Sequence, residues 1–242
     1  MASRVTAAVA LADLNVRRGG RPVIRNVSAQ VARQSWFGVV GANGSGKTTL
    51  LRAVAGRLPI AAGQCAVNGD DLSASRAARA ERIGFAPPIE RLPSSLTVRE
   101  LLTLAGEGIA AQERRCGDLW QALAIAPLLD RTIGECSSGM RQRAALAIAF
   151  ASPLSIVILD EPFNWLDPVA AYDLRAVLAG LVRDGLTLVT ALHDLVTLCG
   201  FCDSAIVLAE GQVTLRLDRG ELRQGQQDAS RFEVGMIAAL RR

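Results

Sequence analysis

This chain of 242 residues contains one lysine, one histidine and one tyrosine. Aromatic residues make up 4 % of it, leaving few rings to stack on bases. Of its 27 basic residues all but the one lysine are arginines, scattered rather than clustered, with a net charge of +4 and a pI near 9.1. A genome-wide preference for arginine accounts for that balance, and no nucleic-acid partner is expected. Long apolar runs are missing too. The longest, "AALAIAFASPLSIVIL" (144–159), is interrupted by Ser152, Pro153 and Ser155 and falls short of the ~18–20 residues that a membrane span requires. There is no internal repeat, no low-complexity tract and no linker long enough to divide the chain. Five cysteines, an odd number, suggest a reducing cytosol rather than a disulfide framework. The pair Cys199 and Cys202 in "CGFC" stands alone in an apolar stretch and reads as structural. The amino end, "MASRVTAAVALADL", reads as a first β-strand rather than a signal peptide, because its apolar run is short and Asp13 follows soon after.

What the chain does have is apolar mass: half its residues are hydrophobic and its mean hydropathy is +0.26. Short apolar runs punctuated by Gly, Asn and Pro predict a β-rich opening, with "WFGVVG" (36–41) a buried strand and 47–58 a helix. From 86 to 152 the pattern becomes helical, with helices expected around "LTVRELLTLAG", around "CGDLWQALAIAPLL" and from Ser138 through Phe150. Then "IVILD" (156–160) returns to a strand. It is followed by a helix over 169–183, a strand over 186–192, another helix and a hairpin-like "AIVLAEGQVTLRL". Strand–helix alternation on both sides of an all-helical insert predicts one α/β domain: a core of 1–85 and 153–220, a helical subdomain of 86–152, and a C-terminal extension of 221–242.

The single lysine lies in "GANGSGKTTL". Residues 41–48 fit G-x-x-x-x-G-K-[ST] between an expected strand and an expected helix. Glycines let successive backbone N–H groups converge on an anion at the positive end of a helix. Lys47 adds a compact ammonium that an arginine fork would not replace in the same gap, and Thr48 offers a hydroxyl to Mg²⁺. The candidate phosphate contacts are Gly41, Asn43, Gly44, Ser45, Gly46, Lys47, Thr48 and Thr49. Downstream, "SIVILDEP" ends a buried strand on Asp160 and Glu161, at the sheet edge where α/β proteins place ligands. Asp160 is the second candidate metal group, and Glu161 the candidate general base toward an attacking water.

Five ordered motifs together resemble the ATP-binding subunit of an ABC transporter, over about residues 9 to 217. Between the two sites, "CSSGMRQR" (136–143) is similar to the family signature LSGGQxxR, with Ser137, Gly139 and Arg143 matching. "FNWLDP" resembles the D-loop through Leu166 and Asp167, and "LVTALHD" resembles the strand ending in the switch histidine, His193. The resemblance implies a P-loop NTPase fold: a RecA-like α/β core, an antiparallel β subdomain and an inserted helical subdomain. It implies ATP and Mg²⁺ as cofactors, with His193 bonding the γ-phosphate. It also implies a second ABC subunit, in a homodimer or heterodimer, whose ATP would face Ser137, Ser138 and Gly139. A separate membrane permease would hold the chain on the cytoplasmic face of the membrane, and the "SSGM" form of the signature is familiar from exporters.

Two positions depart from the family. Arg18 stands where an adenine-stacking aromatic is usual, and a guanidinium plane can stack on a purine. Pro88 in "IGFAPP" replaces the glutamine that touches Mg²⁺ and water, with Glu90 close by as a candidate stand-in. These departures leave open a hydrolysis-poor regulatory subunit that binds ATP and pairs with an active relative, although Glu161 and His193 argue against it. A soluble ABC ATPase acting on ribosomes or DNA is a third reading, disfavoured by the single cassette. Nucleotide kinases and GTPases share the phosphate loop but would not carry "SSGMRQR" ahead of "ILDEP".

Overall fold

The computed structural model describes residues 7–240; residues 1–6 of the expected first strand and 241–242 of the expected extension lie outside the described residues. The chain opens with β1 (Ala7–Arg18) and β2 (Arg21–Ala32), long antiparallel strands joined through Gly19 and Gly20. Then come β3 (Trp36–Gly41), α1 (Lys47–Val54), β4 (Ala62–Val67), β5 (Asp70–Asp71), α2 (Arg76–Arg82) and β6 (Gly84–Phe85). The helical part holds α3 (Val98–Ala105), α4 (Ile109–Cys116), α5 (Asp118–Ala122) and α6 (Ser138–Ala149). After it come β7 (Ile156–Asp160), α7 (Pro168–Arg183), β8 (Thr187–Leu192), α8 (Leu195–Phe201), β9 (Ser204–Ala209) and β10 (Gln212–Leu217). The described chain ends with α9 (Arg219–Gln227) and α10 (Ala229–Leu240).

Two sheets result. One is antiparallel, in the order β2-β1-β4-β5; the other runs β10-β9-β3-β8-β7-β6, parallel except for β10. The central strands are apolar at nearly every position because both faces are covered. Trp36, Val40, Val157, Leu159, Leu188 and Leu192 enter a core shared with α3, α5, α6, α7 and α8. Their neighbours Phe37, Val39, Ile156, Ile158, Val189 and Ala191 enter a second core under α1 and the antiparallel sheet. Register then fixes the working edge: Val40 lies opposite Leu192, and Asp160 opposite Ala191. The carboxyl ends of β3, β7 and β8 therefore open on one side of the sheet.

The helical expectations need correction in places. The helix expected over 47–58 stops at Val54, and Gly56 takes a left-handed φ of +72°. The helix expected around 116–129 is broken: α5 ends at Ala122, Ala124 has φ +45°, and 126–128 form a short 3-10 turn carrying Pro127. Proline lacks the N–H that a continuing helix needs, while Leu123, Ile125 and Leu128 still reach the core. Helices α2, α4, α9 and α10 are additions to the expected set. In α3, a capping box between Thr97 and Glu100 starts the helix and Leu102 is fully buried. We expect Leu102→Ala to destabilise the protein by about 2–5 kcal/mol through a cavity, read as a lower denaturation midpoint in urea.

Candidate active site

The loop after β3 is built for backbone donors. Gly44 and Gly46 have φ of +83° and +106°, a region that L side chains rarely adopt, and a Cβ on Gly46 would lie 2.7 Å from Ile24 Cδ1. The loop closes on itself through Ser45 N–H to the Ala42 carbonyl (3.1 Å), and Gly211 N–H holds the Ser45 carbonyl at 2.9 Å. Gly46 caps α1 with no side-chain acceptor, which leaves the first amides of the helix for an anion.

Lys47, 4 % exposed, donates to the carbonyls of Gly41 at 2.8 Å and Ala42 at 3.3 Å. Its Nζ lies 3.8 Å from Glu161 Oε1. Burial lowers its pKa, while Glu161 and Asp160 pull it back up. Asp160 is shifted the other way, raised by burial and by the neighbouring Glu161 against a hydrogen bond from Thr48 and the charges of Arg52 and Lys47. Its Oδ1 is buried and has no partner among the described residues, and Ser45 Oγ is in the same position. A buried carboxylate oxygen without a donor, beside a hydroxyl, fits a divalent cation. Asp160 and Thr48 line a cavity of about 210 Å³ together with Arg52, Pro88, Glu90, Gln142, Glu161, Asn164 and Trp165.

Glu161 has φ +53°, an uncommon conformation for a residue with a side chain. One of its carboxylate oxygens meets His193 Nε2, and the other accepts from Asn164 Nδ2 at 2.8 Å. The structure thus gathers Lys47, Thr48, Asp160, Glu161 and His193 at one edge of the sheet.

Ser137, Ser138 and Gly139 stand apart. Ser137 caps α6 by accepting from Met140 N–H at 3.3 Å, and both serines are exposed. No hydrogen bond or ion pair joins these three to the phosphate loop among the described residues. They lie instead by the 161–167 loop, where a Cβ on Gly139 would come within 2.7 Å of the Trp165 carbonyl. Arg143 reaches Asp167 at 3.6 Å. Arg18 is exposed at the end of β1, and its charge acts on Arg52. Glu90 is exposed on the rim of the cavity and also acts on Arg52.

Sequence reading passed over two residues. Gln142, 8 % exposed, donates to the Pro162 carbonyl at 3.1 Å, and Asn164 holds the Glu161 carboxylate. A carboxamide three positions after Glu161 was the available signal. Cys199 and Cys202 are buried and free, and burial raises both thiol pKa values. They should resist a thiol reagent at pH 8 in the native protein and react once it is unfolded, a contrast that thiol titration with and without denaturant reads directly.

A strand, a glycine loop, a buried lysine and a strand-end aspartate beside the loop define a P-loop nucleoside triphosphatase. The family model for the ABC transporter matches residues 24–164, and the chain belongs to that family as an ATP-binding, ATPase subunit. It is 34 % identical to the methionine import ATP-binding protein MetN of Caulobacter vibrioides over 81 % of its own length and 62 % of that protein's. It is 31 % identical to the Nod factor export ATP-binding protein I of a Rhizobium species, over 85 % and 69 % of the two chains. Among solved structures, an ATP-binding subunit of an ABC transporter superposes with a TM-score of 0.83 at 25 % identity, over 97 % of this chain and 100 % of that one. Among the described residues no helix is long and apolar enough to cross a membrane.

Proposed function

We propose that this subunit hydrolyses Mg·ATP as one of a pair and drives substrate, outward, through a separate membrane permease that holds it on the cytoplasmic face. The observation that carries the reading is the convergence of Lys47, Asp160, Glu161 and His193 at one sheet edge. Lys47 would exchange its bonds to Gly41 and Ala42 for the outer phosphates of ATP. Thr48 and Asp160 would hold Mg²⁺, which supplies positive charge against the phosphates. Glu161 would take the proton of a water attacking the γ-phosphorus, releasing ADP and phosphate. His193, bonded to Glu161, would orient it and meet the γ-phosphate. Ser137 and Ser138, exposed, and Gly139, half-buried, at the start of α6 would face the nucleotide of a second subunit, whether a copy of this chain or a relative. The division into a core of 1–85 and 153–220, a helical part of 86–152 and an extension of 221–242 belongs to this reading, with the helical part as the docking face for the permease. Outward transport rests on the "SSGM" signature, while relatives of both directions exist.

The test is turnover by the purified protein. We expect ATP hydrolysis that stops with EDTA, and an Asp160→Asn variant needing at least about tenfold more Mg²⁺ for half-maximal rate. A protein that binds ATP without cleaving it, alone or with its permease, would put the regulatory subunit in place of this reading.

A further inference from the structure

Glu161 cannot hold its own geometry. It sits in the left-handed region at φ +53° on a loop, and its carboxylate, at the end of a flexible side chain, keeps one orientation only through the groups it bonds. Pro88 lines the wall of the cavity that Glu161 faces and has neither a carboxamide nor an N–H to offer, so no amide of that residue holds the carboxylate.

The structure shows where the missing amides come from. Asn164 closes the turn that Glu161 begins: its backbone N–H reaches the Glu161 carbonyl at 3.2 Å, and its Nδ2 donates to Glu161 Oε2 at 2.8 Å. Gln142, buried on α6, ties the same turn to the helix through the Pro162 carbonyl at 3.1 Å. Asn164 lines both the 210 Å³ cavity on the Asp160 side and a second cavity of about 230 Å³ on the His193 side. The Glu161 carboxylate is thus held on one oxygen by His193 and on the other by Asn164.

We propose that Asn164 is a positioning residue for Glu161, its side-chain N–H fixing the carboxylate between the metal side and the histidine side of the site; this rests on the nucleotide-hydrolysis reading above. An N–H donor to a carboxylate contributes about 1.5–3 kcal/mol, equivalent to roughly 10–100-fold in rate if it is spent on the geometry of the reacting base. Asn164→Ala should lower kcat by that factor and leave the KM for ATP within about twofold, because among the described residues the Asn164 side chain bonds Glu161 and no hydrogen bond joins it to the phosphate loop. Asn164→Asp is the sharper variant. It has the same shape, but it turns a donor into an acceptor facing another acceptor, so kcat should fall at least as far as in Asn164→Ala. In nucleotide-free protein, hydrogen exchange of the 163–166 amides should quicken in both variants. An Asn164→Asp protein with the parent's kcat would overturn the proposal, as would exchange unchanged from the parent. A Lys47→Ala control separates the two levels. If it hydrolyses like the parent, the nucleotide reading fails; if it is dead while the Asn164 variants match the parent, only the positioning role fails. The exchange measurement needs no nucleotide, so exchange unchanged from the parent overturns the role even where turnover is lost for another reason.

Discussion

Lys47→Ala is expected to bind Mg·ATP at least about 100-fold more weakly than the parent, and to lose hydrolysis with it. The estimate follows from charge-assisted bonds to phosphate, about 1.5–3 kcal/mol each, with 1.4 kcal/mol equal to a factor of ten. No other side chain can take over. This is the chain's one lysine, and Arg52, which lines the cavity nearby, lies one helical turn further along α1. Lys47→Arg should fail as well, since a planar fork would have to enter a slot in which the present ammonium is 4 % exposed and already fits against two carbonyls. The fold should survive both changes. The ammonium is a desolvated charge with a lowered pKa, so removing it relieves a burial cost while giving up two carbonyl bonds. Isothermal titration with Mg·ATP, alongside circular dichroism, distinguishes lost affinity from lost structure. Parent-like affinity in Lys47→Ala would remove the basis for placing nucleotide in this loop.

Much of this was written locally in the sequence. The phosphate loop is legible because its glycines mark positions where a side chain would meet positive φ or a neighbouring atom, as at Gly46 and Gly41. Strands β3, β7 and β8 are legible as mostly apolar runs, since each must fill two cores at once. What a single segment could not reveal was set by pairing. The order β9-β3-β8-β7 is fixed by crossover helices and register, and that register is what brings Lys47 to Asp160 and His193 to Glu161. The break after α5 escaped notice because "LWQALAIAPLL" has helical spacing of leucines, while Pro127 and the left-handed Ala124 turn the chain inside it. Asn164 escaped for a related reason. The carboxamide three positions after Glu161 was visible, but the turn that brings it to the carboxylate starts at a left-handed Glu161, which the local pattern does not announce.

The same geometry makes Glu161→Gln the most informative single change. Turnover should fall by about 10³-fold, within the 10²–10⁴ that a positioned proton acceptor contributes, while nucleotide stays bound. Glutamine keeps the size of the side chain and an acceptor for Asn164 Nδ2 or His193 Nε2, so the shape of the site is preserved. It cannot hold the proton of an attacking water at neutral pH. It also removes the negative charge 3.8 Å from Lys47, which frees the ammonium to serve the phosphates alone. Affinity for Mg·ATP should therefore hold or rise as hydrolysis disappears, the opposite pairing of effects from Lys47→Ala. If subunits close in pairs over ATP, the variant should accumulate in that state, and size-exclusion chromatography with Mg·ATP would show the doubled mass. Hydrolysis at the parent's rate in Glu161→Gln would mean that another group takes the proton. Among the described residues the other carboxylates lining that cavity are Asp160, proposed for the metal, and Glu90, exposed on its rim, so Glu90 would be the group to substitute next.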